Sequence, residues 1–409
     1  MKNCIIAQSG GPTVAINASL AGVIEESISS NAYDIVYGSL HGIMGVLNND
    51  IINLTEKVNE DSNFLETLKI TPAMYLGSCR YKMPSADQHP EIYEQIFDFF
   101  QQRDIVGFYY IGGNDSMDTV LQLSTYAKAH NKPVTIMGVP KTIDNDLCHT
   151  DHTPGFGSAA KYIASTMKEI AYDTSIYPVS SVTIAEIMGR DAGWLTAAAA
   201  LANSSYGLGV DLIYLPEVPF DREQFITDVS SVLEKKKNVL IAISEGIRDA
   251  QGEYISASTA TTDSFGHSQL SGAGKALEYL IADRLGIKVR SIEINLPQRC
   301  AAHLSSETDL TESAELGRTA VKKAMQGVTG HMSVIKRTSH TPYEVIYDTA
   351  SIAEIANEVK NVPRSFINKE GNYVTEEMLT YLRPLIVGEP KVSYQNGLPQ
   401  YASLEHLYR

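Results

Sequence analysis

The residues with most chemical content fall in four short segments, each between an apolar run and a helical pattern. The richest is Pro140-Lys141-Thr142-Ile143-Asp144-Asn145-Asp146. Asp and Asn favour turns, so an Asx-rich surface turn accounts for the heptad at its simplest. Phosphoryl transfer accounts for more of it. That chemistry needs a carboxylate to accept a hydroxyl proton, a metal ligand, and a cation on the moving group. The heptad carries all three.

Two glycine turns come next, Gly10-Gly11-Pro12-Thr13 and Gly112-Gly113-Asn114-Asp115-Ser116. Paired glycines let backbone N–H groups approach a phosphate, and the helix that follows adds its N-terminal dipole. Either turn alone reads as a tight strand–helix connection, with Asp115 or Ser116 capping the helix. Two at equivalent strand ends favour a bipartite phosphate cradle. The fourth segment is Met188-Gly189-Arg190-Asp191-Ala192-Gly193-Trp194. An arginine at a helix start opposes the macrodipole, so Arg190 suits an anionic ligand better than helix stability. Arg80, Arg290 and Arg299 are further anion contacts to weigh, although each taken singly reads as a surface arginine.

Two glycine-rich stretches are rejected. Gly155-Phe156-Gly157-Ser158-Ala159-Ala160 fits a loose dinucleotide pattern, but follows His-Thr-Pro instead of a strand and lacks the later acidic residue. Ser271-Gly272-Ala273-Gly274-Lys275 resembles part of a P-loop without its first glycine or its final Ser/Thr, and reads as a loop opening a helix.

These segments must be positioned by strands and helices. The clearest strands are Cys4–Ala7, Ile35–Tyr37, Ile105–Ile111, Val134–Val139, Ser181–Ile187, Leu212–Leu215, Val239–Ser244 and Val289–Ile294. Helical patterns cover Val14–Ser29, Ile92–Gln101, Asp115–His130, Ser158–Tyr172, Ala192–Ala202, Arg222–Lys236, Ala273–Leu285 and Glu312–Met325. Near-continuous apolar strands alternating with helices predict an α/β protein with parallel sheets. So many units suit two doubly wound domains better than one. The stretch Asn361–Arg409, richer in Pro and Tyr, is expected to be a surface extension wrapping the core.

Composition narrows the partners. The 409 residues carry 33 basic and 48 acidic side chains, a formal net charge of −15. That balance disfavours sequence-independent nucleic-acid or anionic-membrane binding, which needs clustered Lys and Arg. Four cysteines without CxxC or Cys/His spacing support neither a disulfide framework nor a zinc site, and suit a reducing cytoplasm. The longest apolar run, Trp194 to Ala202, contains Thr196 and falls far short of the ~20 residues that span a bilayer. The N-terminal residues lack a signal peptide's apolar stretch.

Taken in order, GGPTVAIN, GGNDS, PKTIDND, IAEIMGRDAGW, the Ser244-Glu245-Gly246-Ile247 turn and Leu296–Arg299 resemble the phosphofructokinase family, from the first strand to about residue 340. The resemblance implies two doubly wound, mainly parallel-sheet domains with the active site in the cleft between them. Residues 1–157 with about 298–355 would carry the donor, and 158–297 with about 356–409 the sugar phosphate. Members that use ATP have GGDGS and PGTIDND; Asp115 and Lys141 here resemble the pyrophosphate-dependent branch. A carboxylate at 115 would occupy the place of a nucleotide's α-phosphate, and Lys141 would neutralise a leaving phosphate.

By the same resemblance, Asp144 would be the base for the C1 hydroxyl of fructose 6-phosphate. Thr142, Ile143 and Asp146 would border sugar and metal, with Asn114 and Asp146 on Mg²⁺. Gly11 and Arg80 would hold pyrophosphate, and Met188, Gly189, Arg190 and Glu245 the fructose. Arg290 and Arg299 would take the 6-phosphate, with Leu296 beside them. A homo-oligomer, dimer or tetramer, would complete the sugar-phosphate pocket across a subunit interface. Asn114 replaces a usual aspartate, Leu296 a histidine, and Ser181 an arginine. The competing readings are an ATP-dependent 6-phosphofructokinase, a non-catalytic phosphometabolite sensor, and, on the rejected glycine pattern alone, a nicotinamide oxidoreductase.

Overall fold

The apolar runs become buried strands because a strand covered by helices on both faces has no polar side to show. Asn3–Gln8 (β1) is buried along its whole length, and so is most of Ile105–Gly112 (β4). A computed structural model describes residues 2–256, 261–262, 268–269 and 272–408. In chain order its framework is β1, α1 (Ile16–Ser29), β2 (Ile35–Ser39), β3 (Ile51–Asn53), α2 (Pro90–Gln102), β4, α3 (Asn114–Ala129), β5 (Thr135–Pro140) and α4 (Phe156–Ser175). It continues with β6 (Ser181–Ile187), β7 (Leu212–Tyr214), α5 (Arg222–Leu233), β8 (Asn238–Ser244), α6 (Ala273–Leu285), β9 (Lys288–Glu293), α7 (Glu307–Met325), β10 (His331–His340), β11 (Tyr343–Ser351) and α8 (Glu376–Leu382).

Two main sheets result. The first has seven strands in the order β11-β10-β5-β4-β1-β2-β3, parallel except for the edge strands β3 and β11. The second has four parallel strands in the order β9-β6-β8-β7. The expected α/β class with two mainly parallel sheets is therefore present. In the first sheet the carboxyl ends of β1, β4 and β5 lie side by side, with Ala7 opposite Tyr110 and Gly112 opposite Pro140. In the second, Ile187 at the end of β6 faces Ser244 at the end of β8. Ligands of open α/β sheets bind beyond such ends.

Three features differ from the reading of the sequence. The hairpin β10–β11 extends the first sheet, yet only Met332–Ile335 reads as a buried strand; beyond it charged and polar residues alternate outward. Helix α7 begins at Glu307 instead of Glu312, capped by the Ser306 side chain, which accepts from the Asp309 N–H. Ser306-x-x-Asp309 is the spacing of a capping signal, and it was legible.

The third difference is a correction. The stretch after Asn361 is not merely a surface extension. Val362, Ile367, Val374, Met378, Tyr381, Leu382 and Leu385 are buried in one core cluster with Trp194, Ile163 and Phe156. Further on, Ala402, Leu404 and Leu407 pack against the cluster around β1. Short 3-10 turns and one seven-residue helix carry these side chains; the only periodic signal is the brief i, i+3, i+4, i+7 run Met378, Tyr381, Leu382 and Leu385.

Burial of this kind has a measurable consequence. Met378 is fully buried, so Met378→Ala is expected to cost about 2–5 kcal/mol in denaturant unfolding. A loss below about 0.5 kcal/mol, the range of surface positions, would return the tail to the surface.

Candidate active site

The chain enters the site where β5 ends. The Lys141 N–H donates to Gly112 O at 2.9 Å, which sets the Lys141 side chain beside the second glycine turn. That side chain is 4% exposed. A Cβ on Gly10 would lie 3.0 Å from Lys141 Nζ and one on Gly113 3.9 Å from it. The ammonium therefore occupies the space between both glycine turns. Gly10 also has φ +84°, a conformation that favours glycine on its own account. The two turns are joined by Ser9 Oγ and Ser116 Oγ, 2.5 Å apart.

Residues 142–146 are held from several sides. The Thr142 N–H donates to Pro154 O, and the Thr153 hydroxyl donates to Thr142 O. The Asp144 N–H donates to Thr142 Oγ1 at 3.1 Å, and that hydroxyl faces Asp144 Oδ2 at 3.4 Å. Asn145, fully buried at φ +56°, is the pivot of the loop. Its amide donates to the Tyr381 hydroxyl, and its carbonyl accepts from the Thr153 N–H and from Lys360. With Asn145 pinned, Asp144 and Asp146 are set on either side of it. Ile143 is buried in the neighbouring core cluster.

Charge and burial compete here. Burial lowers the Lys141 ammonium to about 8, against the opposing pull of Asp144 and Asp146. Burial raises the Asp144 carboxyl, while Lys141 and Arg190 favour its ionised form. Asp146 rises to about 7, through burial first and repulsion by Asp144 second. Two carboxylates that oppose each other's ionisation form a hard-oxygen donor set of the kind Mg²⁺ takes. Among the described residues no three His, Cys, Asp or Glu side chains converge as a metal site. A divalent cation here would complete its shell with phosphate oxygens and water.

The opposite wall comes from the second sheet. After β6, the Met188 N–H donates to Gln298 Oε1 at 3.2 Å and the Gly189 N–H to Glu245 Oε1 at 3.3 Å. Gly189 has φ +138°, and a Cβ there would lie 2.6 Å from Ala192 O. Glu245 rises to about 7, chiefly through burial, with the Gly189 N–H opposing and Asp144 adding to the rise. Arg190 favours the ionised forms of both Asp144 and Glu245. Its Nε–H is buried with no hydrogen-bond acceptor among the described residues, a donor suited to an anionic substrate.

The remaining expected contacts divide. Arg299 Nη1 would lie 3.6 Å from a Cβ on Gly11, so this guanidinium stands beside the first glycine turn. The Ser78 hydroxyl donates to Gly10 O at 2.7 Å and draws the loop bearing the exposed Arg80 against the same turn. Asp115 is exposed in the first turn of α3 and contributes to the field at Lys141. Arg290 is exposed on β9, an edge strand of the second sheet, and Leu296 is exposed at the head of the short helix Pro297–Cys300 that carries Gln298 and Arg299. Asn114 departs from its expected metal-binding place. Its amide donates to Glu358 O at 2.8 Å and its carbonyl accepts from the Asn357 N–H at 3.0 Å, which makes it a loop anchor.

Three residues of the site went unread in the sequence. Gln298 is buried between the expected positions Leu296 and Arg299, and orients Met188. Glu217 accepts from the Gly193 and Val362 N–H groups, each at 2.9 Å, and Lys360 reaches Asn145. Glu217 and Lys360 lie outside every glycine or carboxylate motif, so local spacing carried no signal for them.

The rejected glycine patterns are closed by the protein's own carboxylates. Asp309 accepts from the Gly155 and Ser158 N–H groups at 2.9 Å each. Glu186 accepts from the Gly274 N–H at 2.7 Å. Neither helix start is left for a phosphate. Ser271 of the second pattern lies outside the described residues.

Comparison with known proteins agrees with this geometry. Residues 3–292 match the phosphofructokinase family model. The chain is 41% identical over 408 residues to a pyrophosphate–fructose 6-phosphate 1-phosphotransferase of Xanthomonas campestris, covering 99% of this chain and 96% of that one. It is 40% identical to the protein of the same name from Halomonas elongata, over 98% of this chain and 96% of the relative. The crystal structure of a pyrophosphate-dependent phosphofructokinase from Nitrosospira multiformis superposes with a TM-score of 0.88 at 35% identity, over 98% of this chain and 95% of that one. With the glycine turns, the paired aspartates and Arg190 all at strand ends, and with a family match over most of its length, the chain belongs to the phosphofructokinase family.

Proposed function

We propose that this chain transfers a phosphoryl group reversibly from pyrophosphate to the C1 hydroxyl of fructose 6-phosphate, giving fructose 1,6-bisphosphate and phosphate. The observation that carries the donor choice is the Lys141 ammonium between the two glycine turns, with Asp115 at the head of α3. A carboxylate and an ammonium there leave a seat for two phosphates and oppose a third. The pyrophosphate names of the relatives support the same choice.

In this reading Asp144 takes the proton of the C1 hydroxyl as its oxygen bonds to the transferred phosphorus. The bridging P–O bond breaks, and the leaving phosphate keeps that electron pair beside Lys141. Gly11 and Arg80, with Arg299 near the same turn, hold pyrophosphate. Met188, Gly189, Arg190 and Glu245 orient the fructose. Mg²⁺, held by Asp146 with Asp144 nearby, supplies neutralisation of phosphate charge when bound. Arg290 and Arg299, with Leu296 beside them, take the 6-phosphate with a second copy of the chain in a homo-oligomer. Residues 1–157 and about 298–355 serve the donor, and 158–297 with about 356–409 the sugar. Small molecules are the substrates; nucleic acid and membrane are not partners. Among the described residues no helix is long and apolar enough to cross a membrane.

A coupled assay under Mg²⁺ with each donor tests the reading. Turnover with pyrophosphate and little with ATP is expected; rapid turnover with ATP and none with pyrophosphate would select the ATP-dependent alternative. Asp144→Ser should fold normally and lose ~10²-fold or more in kcat. Unchanged activity would remove Asp144 as the base, whereas a parent chain that turns over neither donor would favour the non-catalytic sensor. The double variant Asp115→Gly with Lys141→Gly should bind ATP measurably in a calorimetric titration. Undetectable affinity would mean that other walls exclude the nucleotide.

The pH profile follows from the same groups. Asp144 must be ionised and Lys141 protonated, so activity should rise on the acid side and fall as pH passes about 8, where the Lys141 ammonium deprotonates. Arginine stays protonated throughout. In Lys141→Arg the residual activity should keep its acid limb and lose the basic one; an unmoved basic limb would assign that limb to another group.

A further inference from the structure

One ammonium near the site takes no part in the chemistry above. Lys360 lies on the segment after the β10–β11 hairpin, and every polar group it carries is engaged. Its backbone N–H donates to Asp146 O at 2.7 Å. Its carbonyl accepts from the Trp194 indole Nε1–H at 2.9 Å. Its ammonium donates to Asn145 Oδ1 at 3.2 Å, Thr150 O at 3.1 Å and Asp151 O at 2.9 Å. The same ammonium stands 5.3 Å over the Trp194 ring, within cation–π range. Three acceptors satisfy the three donors of an ammonium, so none is left for a substrate.

The neighbours of Lys360 make the same bridge. Asn357 and Glu358 hold Asn114 of the second glycine turn. The Val362 N–H shares Glu217 Oε1 with the Gly193 N–H of the sugar-side loop. Residues 357–362 thus touch the loop after β4, the loop after β5 and the loop after β6. The first two belong to the seven-stranded sheet, and the third to the four-stranded one. The backbone and side chain of Lys360 sit in the middle of that strip.

We propose that Lys360 is a positioning residue, which holds the Asp144–Asp146 loop in register with the sugar-side loop at Trp194. The proposal rests on Asp144 being the base. It adds that the distance from base to sugar hydroxyl is set from outside the cleft, by a residue without access to substrate. A misplacement near 1 Å between reacting groups can cost about 10²-fold in rate.

Lys360→Met tests this, since it keeps the stem and both backbone bonds while removing the three donated by the ammonium. With pyrophosphate and fructose 6-phosphate under Mg²⁺, kcat is expected to fall about 10- to 100-fold, both KM values staying within about threefold. Trp194→Phe removes the indole N–H but keeps an aromatic face, and is expected to lower kcat several-fold. The double variant should lose no more than Lys360→Met alone, because one register is broken either way. A kcat within twofold of the parent in Lys360→Met would overturn the proposal, as would strictly multiplicative losses in the pair. If Lys360→Met does not fold, Trp194→Phe carries the test by itself, and an unchanged kcat there overturns the proposal. An inactive Asp144→Ser beside an active Lys360→Met rejects only the positioning role, whereas an active Asp144→Ser rejects the assigned base.

Discussion

An ammonium kept from water between two glycine turns is the constraint on which the rest of the site depends. Lowering Lys141 from 10.5 to about 8 corresponds to roughly 3 kcal/mol against its charged form. The nearby aspartates offset part of the burial cost and not all of it. In the proposed function a diphosphate would bring further negative charge to this ammonium. The same demand explains the glycines. A side chain at Gly10 would meet the Lys141 ammonium at 3.0 Å, and Gly10 also needs its left-handed backbone.

The opposite wall obeys a similar rule with its own materials. Glu245 and Asp144 raise each other's proton affinity, and Arg190 restrains both. A buried guanidinium N–H without an acceptor is costly in a folded chain unless a ligand completes it. The two other glycine-rich helix starts are served from within the chain: Asp309 accepts from the Gly155 and Ser158 N–H groups and Glu186 from the Gly274 N–H.

Much of this was legible in the sequence, and the limits have physical causes. Strands such as Ser181–Ile187 and helices such as Ala273–Leu285 were read at their true ends, because continuous apolar runs and amphipathic periods are local signals. Lys141, Asp144 and Arg190 stand out in the sequence because charged residues crowd the turns directly after buried strands, and the structure sets those turns at the carboxyl ends of β5 and β6. The hairpin at 331–351 was missed because its outer half faces solvent on an edge. The burial of Met378, Tyr381 and Leu382 is harder to read because their α-helix, Glu376–Leu382, is only seven residues long, too short for a sustained period. Gln298, Glu217 and Lys360 act through contacts as far as 215 residues along the chain, which spacing cannot register. Asn114 was read by its motif as a metal ligand, and tertiary contacts with residues 357–358 give it a different task.

In the proposed function, Lys141 and the glycine turns define a seat two phosphates long. A crystal structure of the enzyme with imidodiphosphate and Mg²⁺ addresses it most directly. One phosphate of the analogue is expected within about 3 Å of Lys141 Nζ, against the Gly10-Gly11 turn, with Asp115 closing the far end. An analogue bound away from Lys141, with open nucleotide-sized space beyond Asp115, would contradict it.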